Sequence, residues 1–240
     1  MPRRARQLDL PRTFTWGGAR NNAGRKPSEH RPLVRHRRRD EHRAAFPVHV
    51  TLRARKDLPS LRRHRLFAVS RRAIAASSNT IFRVLHFSVQ GDHLHLIVEA
   101  DDARALALGI AALKIRLARG INRMLSRRGP VWADRYHARA LRTPREVRAG
   151  ILYVLHNWKK HIPGAQGLDG CSSALWFDGW VERGDPPAGE SPVTRPRTWL
   201  AAVGWRRCTE GPLRRDEAPK PHPPTHSRQR PTPPSAAFLI

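Results

Sequence analysis

The sequence predicts an α+β domain: a ferredoxin-like antiparallel sheet with helices on one face, plus an extra C-terminal helix. Three observations predict it. Alternating or β-rich runs at 48–53, 82–89, 93–99 and 131–141 read as strands. Stretches with helical apolar spacing separate them, in the order strand, helix, strand, strand, helix, strand, helix. A length of 240 residues accommodates one such domain with appendages, or two small domains.

Val48, Val50 and Leu52 alternate with His49, Thr51 and Arg53, as in a strand buried on one side. Residues 58–78 are mostly helix formers, with Leu61, Leu66, Phe67 and Ile74 as core contacts. The runs Phe82 to Val89 and His93 to Glu99 flank Gln90-Gly91-Asp92, a turn because Gly and Asp tolerate positive φ, so they pair as a hairpin. Leu106, Ile110, Leu113, Leu117, Ile121 and Met124 trace one apolar stripe of a helix over 102–125. Val131 to Leu141 is the fourth strand. Thr143-Pro144-Arg145-Glu146 then opens a helix with an N-cap, a proline in the first turn and a capping box. Val147, Ile151, Val154 and Trp158 continue its stripe until His161 and Pro163-Gly164 stop it.

The charge narrows the function classes. Lys and Arg number 46 against 19 Asp and Glu, a net +27. Only six are Lys; the remaining 40 are Arg, whose planar fork suits phosphates and base edges. A field of this size draws polyanions, and nucleic acid is the expected partner. Two cysteines, Cys171 and Cys208, cannot build a disulfide framework or a four-thiolate zinc site. The chain is charged from Arg3 onward, and no apolar run approaches the roughly 18 residues of a membrane span. The expectation is a cytoplasmic protein without a membrane segment.

Four zones follow. Residues 1–43 carry 13 Lys and Arg against four acids and read as a basic disordered arm, with Arg25 and Lys26 in a Gly-Arg-Lys-Pro stretch that suits phosphate contact. Residues 44–165 hold the periodic pattern and form the expected catalytic domain. Residues 166–185 hold Trp176, Phe177 and Trp180, expected to dock on that domain. Residues 186–240 hold 12 of the 21 prolines and read as a disordered tail.

Four side chains converge if the last helix packs on the sheet face that carries His93 and His95. Residues alternate along a strand, so these two imidazoles lie side by side. Tyr153 and Asn157 are four apart on the helix and share a face. Two imidazoles and a carboxamide oxygen could hold a divalent ion that polarises a phosphate, with the Tyr153 phenol as nucleophile. Each feature also has a plainer explanation: a His-x-His pair as an ordinary polar face, a Tyr beside an apolar stripe as a packing residue. Lys114, Arg116, Arg119 and Arg123 on the second helix, and Arg135 and Arg139 on the fourth strand, are candidate phosphate contacts or plain solubilising charge. Glu99 shares the histidine face, as a holder of ordered water or a solvated strand-end acid. His156 is a candidate base, with a surface histidine as the plainer reading.

At this point the sequence resembles a known family. Gly91-Asp92-His93-Leu94-His95-Leu96-Ile97-Val98 resembles the His-hydrophobic-His motif of single-tyrosine HUH transposases. Tyr153-Val154-Leu155-His156-Asn157-Trp158-Lys159-Lys160-His161 resembles their catalytic-tyrosine helix, and Val131-Trp132-Ala133-Asp134-Arg135-Tyr136-His137 the strand before it. The likeness covers about residues 44–165 and is strongest to REP-associated tyrosine transposases, relatives of insertion-sequence enzymes. It implies DNA transposition by cleaving and rejoining single-stranded DNA through a 5′-phosphotyrosine link, with release of a 3′-hydroxyl. It also implies Mg²⁺ or Mn²⁺ as cofactor, recognition of a DNA hairpin, a bacterial nucleoid-associated location and a homodimer as one possible assembly. Carried over by position, His93, His95 and Asn157 are the metal ligands and Tyr153 the nucleophile. Asp92 stands where Asn is common in the family, and Asn157 where insertion-sequence relatives often use Gln, one methylene longer. The competing readings are a non-catalytic DNA- or RNA-binding protein on a ferredoxin-like domain, and a basic ribosome-associated protein. The second of these leaves Tyr153, Asn157 and the histidine pair unexplained.

Overall fold

The computed structural model describes residues 41–160, 166–182 and 184–218. The expected arm therefore lies almost wholly outside the described residues, as do 219–240 and the helix-stop signals at 161–165. The elements are β1 (Val48–Arg53), α1 (His64–Ala75), β2 (Phe82–Val89), β3 (His93–Ala100), α2 (Ala103–Met124), β4 (His137–Ala140), α3 (Pro144–His156) and a short α4 (Trp199–Ala202). One four-stranded sheet runs in the order β2-β3-β1-β4, with every neighbouring pair antiparallel. This is the expected fold class.

The two-residue alternation of the strands assigns each sheet face its own core. Val48, Val50 and Leu52 of β1 and Leu94, Leu96 and Val98 of β3 pack under α1 and α2, meeting Ile74 and the stripe Leu106, Ile110, Leu113, Leu117 and Ile121. On the opposite face, Ile97 of β3 and Leu85 of β2 meet Val147, Ile151, Val154 and Leu155 of α3. Thus α1 and α2 cover one face, and α3 covers the face from which His93 and His95 project.

Capping sets where α3 begins. Thr143 Oγ1 accepts from Glu146 N at 3.1 Å, and Pro144 sits in the first turn. The Glu146 carboxylate does not close the box on Thr143. It accepts from Arg142 N at 2.7 Å and from Arg139 at 2.8 Å, tying the helix start to β4. At its other end α3 tightens into a 3-10 turn over Asn157–Lys160.

Four expectations are corrected. The first helix is shorter than 58–78, because Leu61 N donates to Gly91 O at 2.8 Å and so commits the chain to the hairpin turn before α1 starts. The fourth strand is His137–Ala140 rather than 131–141. Trp132 bridges only to Ala54, and the Asp134 carboxylate then takes Arg135 N at 2.6 Å in a bend. Glu99 is fully buried, not a solvated strand-end acid. It accepts from Arg83 at 3.1 Å, from Arg197 N and Thr198 N at 2.9 Å each, and from Thr198 Oγ1 at 2.8 Å.

The tail expected to be disordered from 186 onward is, over 184–218, part of the fold. Leu200, Ala201, Trp205 and Leu213 join the α3 core together with Trp180. Arg148 of α3, itself buried, donates to Gly211 O at 2.7 Å and forks onto Glu217 at 2.7 and 2.8 Å. Asp169 of the docking segment takes two bonds from Arg62, at 2.7 and 2.9 Å. A high proline content blocks helix and strand ladders but does not prevent a loop from burying aromatics once buried carboxylates and carbonyls anchor it.

Candidate active site

Cross-strand register builds the site. His95 on β3 lies opposite Thr51 on β1 and Ser88 on β2, and Thr51 lies opposite His137 on β4. Ser88, His95, Thr51 and His137 therefore form a polar row across the face that α3 covers. His93 sits one step along β3, at the Arg53 register, and His49 lies opposite Ile97 and Arg139. His93, His95 and His49 are all buried. The His93 and His95 rings lie 4.8 Å apart between centroids, nearly perpendicular.

The helix brings Tyr153 to these rings. Its ring meets His95 edge-on at 5.1 Å between centroids, and His49 at 5.6 Å. Asn157 follows one helical turn later and is buried. Burial pushes the Tyr153 phenol above its ordinary value, so it is neutral at pH 7 and requires help to act as a nucleophile.

The residues fit a divalent ion by the orientation of the two imidazoles. His93 Nδ1 lies 2.7 Å from Asp92 Oδ1, a donation to a carboxylate that puts the ring lone pair on Nε2. The same N–H holds the Asp92 carboxyl below its usual range. His95 Nδ1 lies 3.1 Å from Thr51 Oγ1 and 3.2 Å from His49 Nε2; in the tautomer that donates from Nδ1 to Thr51, the ring lone pair is on Nε2. Among the described residues, no group of three His, Cys, Asp or Glu side chains is spaced to share an ion.

The other predicted residues fall in separate places. Arg25 and Lys26 lie outside the described residues. Lys114 Nζ donates to Asp134 O at 3.2 Å and rides over Trp132, and Arg116, Arg119 and Arg123 are exposed on α2. The sheet stands between α2 and Tyr153, so these four form a surface apart from the histidines. Arg135 is exposed before β4, and Arg139, on the histidine face, is ion-paired with Glu146. His156 is not a surface residue: it is fully buried against Trp180, and burial pushes it down to about 4. Sequence reasoning did not find Thr51 or Lys160. Thr51 is betrayed only by register; Lys160 Nζ lies 4.5 Å from the Tyr153 ring centroid.

No family model matches the chain, and no curated protein matches it. Among solved structures it is similar to a REP-associated tyrosine transposase bound to a REP hairpin, at 18% identity and a TM-score of 0.45, over 53% of this chain and 74% of that one. The likeness is distant, and the functional reading rests on the side chains of this chain.

Proposed function

We propose that this protein is a DNA transposase of the single-tyrosine type, which cleaves and rejoins single-stranded DNA with the help of a divalent cation. One observation carries the reading: the Tyr153 ring is packed edge-on against the buried His95, whose own ring lies against that of His93. Their Nδ1 atoms are engaged by Asp92 and Thr51, which supports both Nε2 atoms as ligands. The net charge of +27 supplies attraction for a polyanionic substrate.

In this reading His93, His95 and Asn157 hold Mg²⁺ or Mn²⁺, and such an ion, when bound, acts as a Lewis acid toward the scissile phosphate. Tyr153 does the covalent work. A lone pair on its Oη forms the new O–P bond while the P–O3′ bond breaks. The electron pair of that bond leaves with the 3′ oxygen, which takes up a proton as a hydroxyl, and the phenol proton passes to water. The reverse step rejoins the strand. His49, edge-on to Tyr153 and bonded to His95, fixes the orientation of both rings.

The test is a covalent adduct. Single-stranded or hairpin DNA is incubated with the full chain and Mn²⁺ or Mg²⁺, and the products are separated under denaturing conditions. A metal-dependent protein–DNA band is expected, lost in Tyr153→Phe with DNA binding retained, and kept in Tyr136→Phe. These are the only two tyrosines, so the pair of variants assigns the nucleophile. DNA binding without an adduct under any divalent metal would favour the non-catalytic nucleic-acid-binding reading.

A further inference from the structure

We propose that Lys160 is a phosphate-contacting residue of this same site, its ammonium taking a non-bridging oxygen of the phosphate that Tyr153 attacks; this rests on the reading of Tyr153 as nucleophile. The 3-10 turn that ends α3 carries two adjacent lysines with different fates. Lys159 turns back onto the C-terminal segment, its Nζ donating to Arg215 O at 2.9 Å. Lys160 turns the other way, and its Nζ lies 4.5 Å from the centroid of the Tyr153 ring. That distance is well inside the roughly 6 Å at which a cation is held by an aromatic face. The residue is otherwise exposed, and among the described residues no carboxylate pairs with it.

Elsewhere the described cations near α3 are already engaged. Arg139 is paired with Glu146, and Arg148 is buried against Glu217. Lys159 is bound to a carbonyl. Among the described residues, Lys160 is thus the cation beside the phenol that neither a carboxylate nor a carbonyl engages. The ring fixes where that charge waits, and the flexible lysine stem carries it the short way to a phosphate at Oη. In the step already described, negative charge grows on the phosphoryl oxygens as the O–P bond forms and the P–O3′ bond breaks. A pre-placed ammonium stabilises that charge with little reorganisation. An arginine at the same place would keep the charge but change its shape.

The experiment compares the parent with Lys160→Met and Lys160→Arg in single-turnover adduct formation at saturating DNA. Substrates carry either phosphate or one of the two phosphorothioate diastereomers at the cleaved position. Lys160→Met is expected to form adduct about 100-fold more slowly, the scale of losing one donor to a developing oxyanion. Lys160→Arg should stay within about tenfold of the parent, since the charge is retained. The parent should be slowed by the diastereomer that replaces the contacted oxygen, and Lys160→Met should no longer distinguish the two. A merely structural lysine would not move that stereochemical preference. Equal rates and an unchanged preference in Lys160→Met, with the parent active, overturn the Lys160 assignment alone. A parent that forms no adduct overturns the cleavage reading, and the Lys160 assignment with it.

Discussion

Tyr153 and Asp92 show how far single atoms decide this site. The Tyr153 ring packs against two imidazoles, but only its hydroxyl can bond to phosphorus, which is why the phenylalanine variant separates chemistry from packing. Asp92 never reaches Tyr153 in this reading; it acts through the 2.7 Å bond that orients His93. Removing such an outer partner typically costs 10- to 100-fold in metal affinity. Asp92→Ala should therefore weaken Mn²⁺ binding by roughly that factor, measured by electron paramagnetic resonance without DNA. Asp92→Asn, which keeps an acceptor oxygen, should weaken it less. His93→Ala should weaken it more than either, and Tyr153→Phe should leave it unchanged. Mn²⁺ binding that is indifferent to His93→Ala would remove the ion from this site.

Among the elements, α3 and α2 hold the sheet from opposite sides under different constraints. The α3 side would couple the proposed chemistry to packing, because the stripe Val147, Ile151 and Val154 that seats the helix also presents Tyr153 to the histidines. The α2 side is tightly packed. Gly109 lies against the Phe82 ring of β2 so closely that an added Cβ would overlap the ring carbons. Alanine is worth up to about 1 kcal/mol more than glycine in a helix interior. Overpacking a core costs typically about 1–3 kcal/mol, and here the obstacle is a buried aromatic between two elements. Gly109→Ala should therefore lower the denaturation midpoint even though it improves helix propensity. A midpoint that rises in urea titration would show that Phe82 yields freely. Gly120, where a Cβ would strike Val69 of α1, is a second close approach of the same kind.

Across the whole molecule, charge and burial set the response to solution conditions. The exposed arginines of α2 and the Tyr153 ring lie on opposite sides of the sheet, so positive charge is not concentrated on the histidine face alone. No helix among the described residues is long and apolar enough to cross a membrane. His86 sits on the α3 side of the sheet against Phe177, and burial pushes it down to about 4 from the ordinary 6.5. Its folded value is depressed, so between those two values the unfolded chain binds the proton that the folded chain refuses. Its penalty is absent above pH 6.5, grows as pH falls through the window from 6.5 to 4, and is complete below it. The slope is at most about 1.4 kcal/mol per pH unit for one such group. Urea unfolding at pH 7 and pH 5 should show a loss of stability on acidification that is smaller in His86→Leu. An equal loss in that variant would assign the acid sensitivity to other groups.

The strand alternation, the 102–125 stripe and the Thr143–Glu146 start were legible in the sequence because each is a local pattern with its own period or spacing. Those same patterns suffice to put His93 and His95 on one strand face, and Tyr153 and Asn157 on one helix flank. Only tertiary structure decided that the flank and the face meet, since helix docking depends on the cores formed above and below the sheet. It also decided what no period carries. Thr51 reaches His95 through a register 44 residues distant, and Lys160 is turned over the Tyr153 ring by a 3-10 turn. The proline-rich stretch from 186 onward, which reads as a disordered tail, folds as far as 218 for the same reason. Its composition disfavours regular elements, but the partners that order it, Glu99 for Arg197 and Arg148 for Glu217, lie far away in the chain and become neighbours only when the sheet and α3 have assembled.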